Sequence, residues 1–422
     1  NVLYSIIDRI YIGNIPGEGA LALAGVGICG PIVTLLTSFG TLIGLGGSIL
    51  MAMKMGEGNM KKAKQILSNS FLMLIIFSIV LTVTFFIIKD NLLMWFGASE
   101  TTFPYADTYM KIYTAGTFFA LMSLGLNYFI NCQGFSTIGM ATVLVGAVTN
   151  IILDPVFIFV FDMGVAGVAL ATLISRIISA IIIIGLMFRT ESAIRIKTCK
   201  DFLPSPSIIK KILSIGLPSG LENGMFQIGK LSVSSLVSTF GTAAIAANSV
   251  ANSVTMFANI PGNAIGMAMI TVIGQCIGAK KPDEAKRYGK KLMFIAYAGI
   301  LATNIVMTIV AVPVVGLFHL SPEATKTGLS LIHCFSIVAI FIWPLSFTMP
   351  NALRAAGDAK YTMMVSIFSM WAFRVGSSYL LGGTLGLGVL GVWFGMFIDW
   401  GFRSLAFLIR FIRGKWTQKA VI

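Results

Sequence analysis

Apolar residues come in runs of about 20 along the whole chain, separated by short polar stretches. A run of that length crosses the hydrocarbon of a bilayer as a helix. A span in lipid must satisfy its own backbone groups, so these runs are read as helices. The pattern predicts spans at 1–14, 25–52, 66–88, 108–132, 137–161, 165–188, 209–239, 245–275, 291–317, 327–351, 360–381 and 387–412. The longest polar stretch, 189–207, holds Pro204 and Pro206 and reads as a linker between two halves of six spans each.

The second half retraces the first at a shift of 222 to 224 residues. Gly56 falls on Gly278, Ala63 on Ala285, Phe96 on Phe318 and Ser99 on Ser321. Gly134 falls on Gly357, Gly164 on Gly388 and Gly167 on Gly391. An even number of spans per repeat gives both lobes the same orientation, the usual build of a secondary transporter. The expected domains are an N-lobe, 1–188, a cytoplasmic linker, 189–207, and a C-lobe, 208–422, with a short cytoplasmic tail. The repeat sets Asn1 opposite Asn223, well inside the seventh span, so the first helix is expected to be truncated at its N-terminus.

Composition agrees with a membrane setting. The chain is 56% hydrophobic and 11% charged, with a mean hydropathy of +0.90, more apolar surface than a soluble domain can hide. The net charge of +14 gathers in the loops after spans 2, 6 and 8 and in the tail, as in Lys61, Lys62, Lys280, Lys281, Arg410 and Lys415. By the positive-inside rule those loops and both termini face the cytoplasm. No soluble basic module with interleaved aromatics is present, which excludes a nucleic-acid partner. Cys29, Cys132, Cys199, Cys276 and Cys334 lack metal or redox spacing and read as small apolar residues. His319 and His333 form no metal or nucleophile constellation, and no phosphate loop suggests ATP-driven transport. An enzyme embedded in the membrane would need a converging nucleophile, base and orienting group, and the spans offer none.

A charge at mid-bilayer costs about 2.5–3.5 kcal/mol on insertion scales, so each one asks for a reason. The set is Asp8, Arg9, Asp154, Arg176, Glu222, Lys230, Arg374, Asp399 and Arg403. Across the repeat, Asp8 matches Lys230, Asn150 matches Arg374, Asp154 matches Ser378 and Thr172 matches Met396. Oxygen ligands in the first lobe thus meet fixed positive charge, or nothing, in the second. Asn150 and Asp154 share a helical face, and Pro155 loosens the helix beside them. With Asp8 and Thr172 they form a hard, all-oxygen set suited to Na⁺ or a shared proton. The competing readings are an Asp8 ion pair with Arg9 or Arg176 and a purely structural Asp154 beside the kink. In the second lobe Arg374 and Asp399 read as a structural ion pair, and Lys230 as a tethered cation. Glu222 is a candidate for a cationic substrate or a second ion or, otherwise, a partner for Lys230. Met225, Phe226, Met256, Phe257 and Met267 suit a pocket for varied lipophilic ligands, though such residues are mostly core or lipid-facing.

"IIDRIYIGN", "GAVTNIILDPVFIF", "GVAGVALATLIS" and "GLPSGLENG" resemble the multidrug and toxic compound extrusion (MATE) transporters, most closely the prokaryotic DinF/MepA-like branch. The resemblance covers essentially the whole chain. It implies an all-α integral membrane protein of twelve transmembrane helices in two six-helix lobes, acting as a Na⁺- or H⁺-coupled multidrug antiporter. In that branch the coupling cation sits in the N-lobe, which by motif implies Asp8, Asn150, Asp154, Thr172 and also Tyr4, one turn before Asp8. Relatives with a C-lobe Na⁺ site place acids in helices 7, 8 and 10. This chain has Glu222 in helix 7 but no acid in spans 8 or 10, which favours the N-lobe.

The expected activity is export of cationic or lipophilic drugs by alternating access, giving antibiotic resistance at the plasma (inner) membrane. No cofactor is expected beyond the transported ion. The expected partners are small organic cations, the coupling cation and the lipid bilayer, with the protein a monomer. The alternative is a flippase for lipid-linked precursors, which needs a broad cationic groove for phosphates.

Overall fold

A computed structural model describes residues 8, 10–188, 204–316, 318 and 320–418. Every element among them is helical. The end of the first span, at Asp8 and residues 10–13, is followed by α1 (Gly19–Gly56), α2 (Met60–Trp95), α3 (Phe103–Ala115) and α4 (Thr117–Cys132). Then come α5 (Ser136–Pro155), α6 (Gly164–Phe188), α7 (Pro206–Ser238), α8 (Thr242–Ala258), α9 (Ile260–Gly278) and α10 (Pro282–Gly316). The chain closes with α11 (Pro322–Trp343), α12 (Met349–Ala355), α13 (Ala359–Ser369) and α14 (Gly388–Ile412).

The local sequence explains many of the helix ends. Asn59 accepts from the Lys62 amide at the start of α2 at 3.0 Å, and Ser321 from the Ala324 amide in α11 at 3.3 Å. Helices α7, α10 and α11 begin on Pro206, Pro282 and Pro322, where a missing N–H costs nothing.

Among the described residues eight helices are long and apolar enough to cross a bilayer, and α3 with α4, bent by 59° at Gly116, makes a ninth if the pair is one span. The other three expected spans differ for local reasons. Most of the first lies outside the described residues. The seventh, α7, carries Glu222, Lys230 and a polar, glycine-rich stretch through its length. The eleventh is divided among α13 and two π-helical segments, Met370–Val375 and Ser378–Thr384.

The repeat extends to individual hydrogen bonds. After Asp154, a π-helical segment (Val156–Val160) ends with Phe161 N–H donating to Val156 O at 3.0 Å and Met163 N–H to Phe157 O at 3.0 Å. In the second half Leu385 N–H donates to Leu380 O at 2.9 Å and Leu387 N–H to Leu381 O at 3.1 Å. These are the same positions shifted by the repeat. Gly164 and Gly388 then turn the chain in the left-handed region, at φ 53° and 57°.

The chain packs as two compact units, Asn1–Met51 with Asn59–Gly220, and Ala52–Gly58 with Leu221–Ile422. Their border lies inside α7, whereas the sequence suggested a division at the linker, most of which lies outside the described residues. Close packing accounts for this border. A Cβ on Gly216 would sit 2.3 Å from Leu42 O, so the first turns of α7 dock on α1 within the first unit. In the second unit the last turn of α1 lies against α9 through a matched glycine pair. A Cβ on Gly56 would come 2.0 Å from Gln275 O, and one on Gly278 1.9 Å from Met53 O.

Candidate functional site

Helices α5 and α6 form the wall of the candidate cation site. Small residues let their backbones approach: a Cβ on Gly146 would lie 2.2 Å from Ser179 Oγ, and one on Gly167 2.9 Å from the Phe157 side chain. This antiparallel register brings Thr172 level with the turn from Asn150 to Asp154. Asp154 is 0% exposed, Asn150 1% and Thr172 6%. Asn150 Nδ2 donates to Asp154 Oδ1 at 3.3 Å. From the first span, Asp8 comes within hydrogen-bonding reach of Asp154, and Arg176 is close enough to act electrostatically on Asp8. Arg9 and Tyr4 lie outside the described residues.

Four buried oxygens here have no hydrogen-bond partner: Asp8 Oδ1, Asn150 Oδ1, Asp154 Oδ2 and Thr172 Oγ1. Orphaned buried acceptors are expensive, on the order of 1–3 kcal/mol each, so such a set fits a ligand that supplies positive charge. One turn beyond it, Ile12, Ile158, Val165 and Val168 form an apolar cluster backed by Tyr11 and Tyr105. Tyr11 also meets Phe159 edge-on at 6.2 Å. No group of three or more His, Cys, Asp or Glu side chains with metal-ligand geometry occurs among the described residues. Carboxylate, amide and hydroxyl oxygens are hard donors and suit a hard cation better than a soft transition metal.

The second unit corrects two sequence expectations. Glu222 does not pair with Lys230; both its oxygens accept from Arg354 Nη2, at 2.7 and 2.8 Å. That occupies the carboxylate proposed for a cationic substrate. Hydropathy ends the tenth span at residue 351 and so leaves Arg354 outside it, although the helix runs on to Ala355. Its signal was present: Arg354 falls on Asn131 at the repeat shift, one turn before the matched glycines Gly134 and Gly357. Nor do Arg374 and Asp399 make a direct ion pair. Asp399 Oδ1 accepts from Ser369 Oγ, and Asp399 Oδ2 and Arg374 Nε are both without partners. Lys230 is exposed and lies 5.4 Å over the Phe226 ring.

The other pocket candidates differ in exposure. Met256 is 52% and Met267 39% exposed, whereas Met225 and Phe257 are half-buried. Cys29, Cys132, Cys276 and Cys334 are free thiols, the first two buried, in keeping with apolar filling. Cys199 and His319 lie outside the described residues.

A duplicated bundle of membrane-crossing helices with a buried oxygen cluster has the build of a secondary transporter. The MatE family model matches residues 1–156 and 218–380, and the chain belongs to that family. It is 26% identical over 404 residues to the uncharacterized transporter YisQ of Bacillus subtilis, covering 95% of this chain and 88% of that protein. It is 25% identical to the probable multidrug resistance protein NorM of Thermotoga maritima, over 100% of this chain and 90% of that protein. The multidrug export protein MepA of Staphylococcus aureus is 22% identical over 87% of this chain and 80% of its own length. Among solved structures, an outward-facing multidrug resistance MATE family transporter superposes with a TM-score of 0.90 at 25% identity, covering 98% of this chain and 91% of that one.

Proposed function

We propose that the protein is a Na⁺- or H⁺-coupled antiporter that exports cationic and lipophilic organic compounds, with the coupling ion held by Asp8, Asn150, Asp154 and Thr172. The observation that carries the reading is the group of four orphaned oxygens on two carboxylates, an amide and a hydroxyl. Relatives along nearly the whole chain that carry multidrug names support the cargo class. They lend no support to the flippase alternative.

Two carboxylates about 4 Å apart at an effective dielectric of about 20 repel by about 4 kcal/mol. Arg176 offsets one of them, leaving one negative charge, the complement of a single Na⁺ or H⁺. Binding that ion on the outer side relieves the repulsion and lets the end of the first span settle against the π-helical turn after Asp154, which favours cargo release. Loss of the ion on the inner side restores a negative pocket that favours a cationic drug. The exchange runs because ion and drug prefer different states; a ligand without that preference shifts nothing. One charge moving inward through 100 mV releases about 2.3 kcal/mol, and a tenfold ion gradient adds about 1.4 kcal/mol.

The basic loops support a reading with both termini in the cytoplasm, and the family supports the plasma membrane as its setting. In proteoliposomes with ΔpH and ΔNa⁺ imposed separately, one of the two gradients is expected to drive dye efflux. Asp8→Asn and Asp154→Asn should each reduce that efflux at least tenfold. Gradient-driven efflux that survives in both variants would remove this mechanism.

A further inference from the structure

The repeat carries the candidate cation positions of the first unit onto side chains of opposite sign in the second. Tyr4 corresponds to Phe226, Asp8 to Lys230 and Asn150 to Arg374. Around the Phe226 ring centre stand Lys230 Nζ at 5.4 Å and the guanidinium carbons of Arg374 and Arg403, both at 5.5 Å. The three cations come from different elements: α7, the π-helical segment Met370–Val375, and α14.

Their charge is not balanced locally. Glu222 is bound by Arg354, so the two cancel, and Asp399, close to Arg374 and Arg403, is the acid left to face the three cations. None of the three makes a salt bridge to a carboxylate among the described residues. Arg403 is only 3% exposed, yet its Nε and Nη1 have no partner; Nη2 alone donates, to Ser346 O at 3.3 Å. Arg374 Nε and Trp400 Nε1 are buried and unpartnered as well. A guanidinium held out of water with two free N–H groups calls for an anionic acceptor. Contacts with Phe226, and between Arg403 and the Phe347 ring at 4.6 Å, offset part of the desolvation. Ring faces accept no N–H bond strongly enough to replace a counter-ion.

We propose that Lys230, Arg374 and Arg403 form an anion site around Phe226, taking a phosphate-class oxyanion: inorganic phosphate or a phosphate monoester. Three cations against one acid leave two positive charges, matching a phosphate dianion near pH 7. Donors arriving from three elements suit a tetrahedral oxyanion, which accepts from several directions. The site lies wholly in the second unit and goes beyond the coupling reading, because it needs no ion gradient to be occupied. On a soluble substrate it would admit phosphorylated or zwitterionic cargo; on a lipid it would hold a headgroup.

The test is calorimetric titration of the full chain in phosphatidylcholine nanodiscs with inorganic phosphate, glycerol phosphate and chloride. Saturable binding of both phosphates is expected, weakened at least tenfold by Lys230→Gln and by Arg374→Gln but retained by Lys230→Arg. Asp399→Asn removes the competing acid and should tighten binding several-fold, a gain that a misfolded variant cannot imitate. Nanodiscs containing phosphatidic acid separate the sources: competition with phosphate assigns the site to a lipid headgroup, and its absence to a soluble ester. No saturable binding, equal affinity for chloride, or binding indifferent to Lys230→Gln and Arg374→Gln each overturns the proposal. Because binding is read at equilibrium, it can fail while ion-driven efflux persists, and the reverse.

Discussion

Arg354 shows how a single side chain changes the meaning of its neighbour. Glu222, 7% exposed, would be a lone carboxylate in α7 and a natural seat for a cationic drug. With Arg354 Nη2 on both oxygens, and Arg354 Nη1 donating to Asn351 Oδ1 at 3.0 Å, it is a closed pair instead. Removing one member of a buried pair leaves an uncompensated charge, which costs about 3–5 kcal/mol. Arg354→Met is therefore expected to lower the thermal unfolding midpoint in detergent sharply. The double variant Glu222→Gln with Arg354→Met should recover most of the loss. A double variant no more stable than the single one would show that Arg354 acts through packing rather than charge.

The elements differ in how sharply they are held, and the two π-helical turns show it. Each is followed by a glycine that allows the next helix to cross against backbone. A Cβ on Gly167 would come 3.0 Å from the Phe157 carbonyl carbon, and one on Gly391 2.6 Å from the Leu381 carbonyl carbon. Overpacking of this kind costs about 1–3 kcal/mol, and backbone yields less readily than side chain. Gly391→Ala should therefore destabilise the protein more than Gly167→Ala, as read by thermal unfolding of the two variants side by side. Equal losses would mean that the second π-turn relaxes as easily as the first. Asp154 sits at the entrance of the first turn, which follows Pro155 directly, so in the proposed cation site its direction depends on that turn.

For the whole molecule, the repeat gives matched contacts as well as matched helices. Gly56 against Gln275 and Gly278 against Met53 are one contact seen from both sides, since Met53 and Gln275 correspond just as the glycines do. Gly56→Val and Gly278→Val are expected to weaken folding and efflux by similar amounts. Their combination should cost less than the sum of the two, because one displacement of α1 from α9 accommodates both. Additive losses would show that the two contacts yield independently. Folding stability read in detergent and efflux read in proteoliposomes separate a packing defect from a transport defect.

What was legible in the sequence followed from local composition. Each run of apolar residues becomes a helix because the bilayer leaves its backbone no other partner, and glycine and proline mark where the runs stop. The duplication was legible for the same reason, since its punctuation survives where side chains have diverged. The oxygen-bearing residues could be named too, because a polar group in a span is rare enough to stand out. Which of them meet is another matter. Asp8 reaches Asp154, Glu222 takes Arg354, and Lys230, Arg374 and Arg403 crowd one phenylalanine because of helix rotation and register. Register is held in part by glycines pressed against backbone far away in the chain, such as Gly56, Gly216 and Gly278. Hydropathy reports only whether a residue prefers lipid to water, and it carries no information about the neighbour it will face.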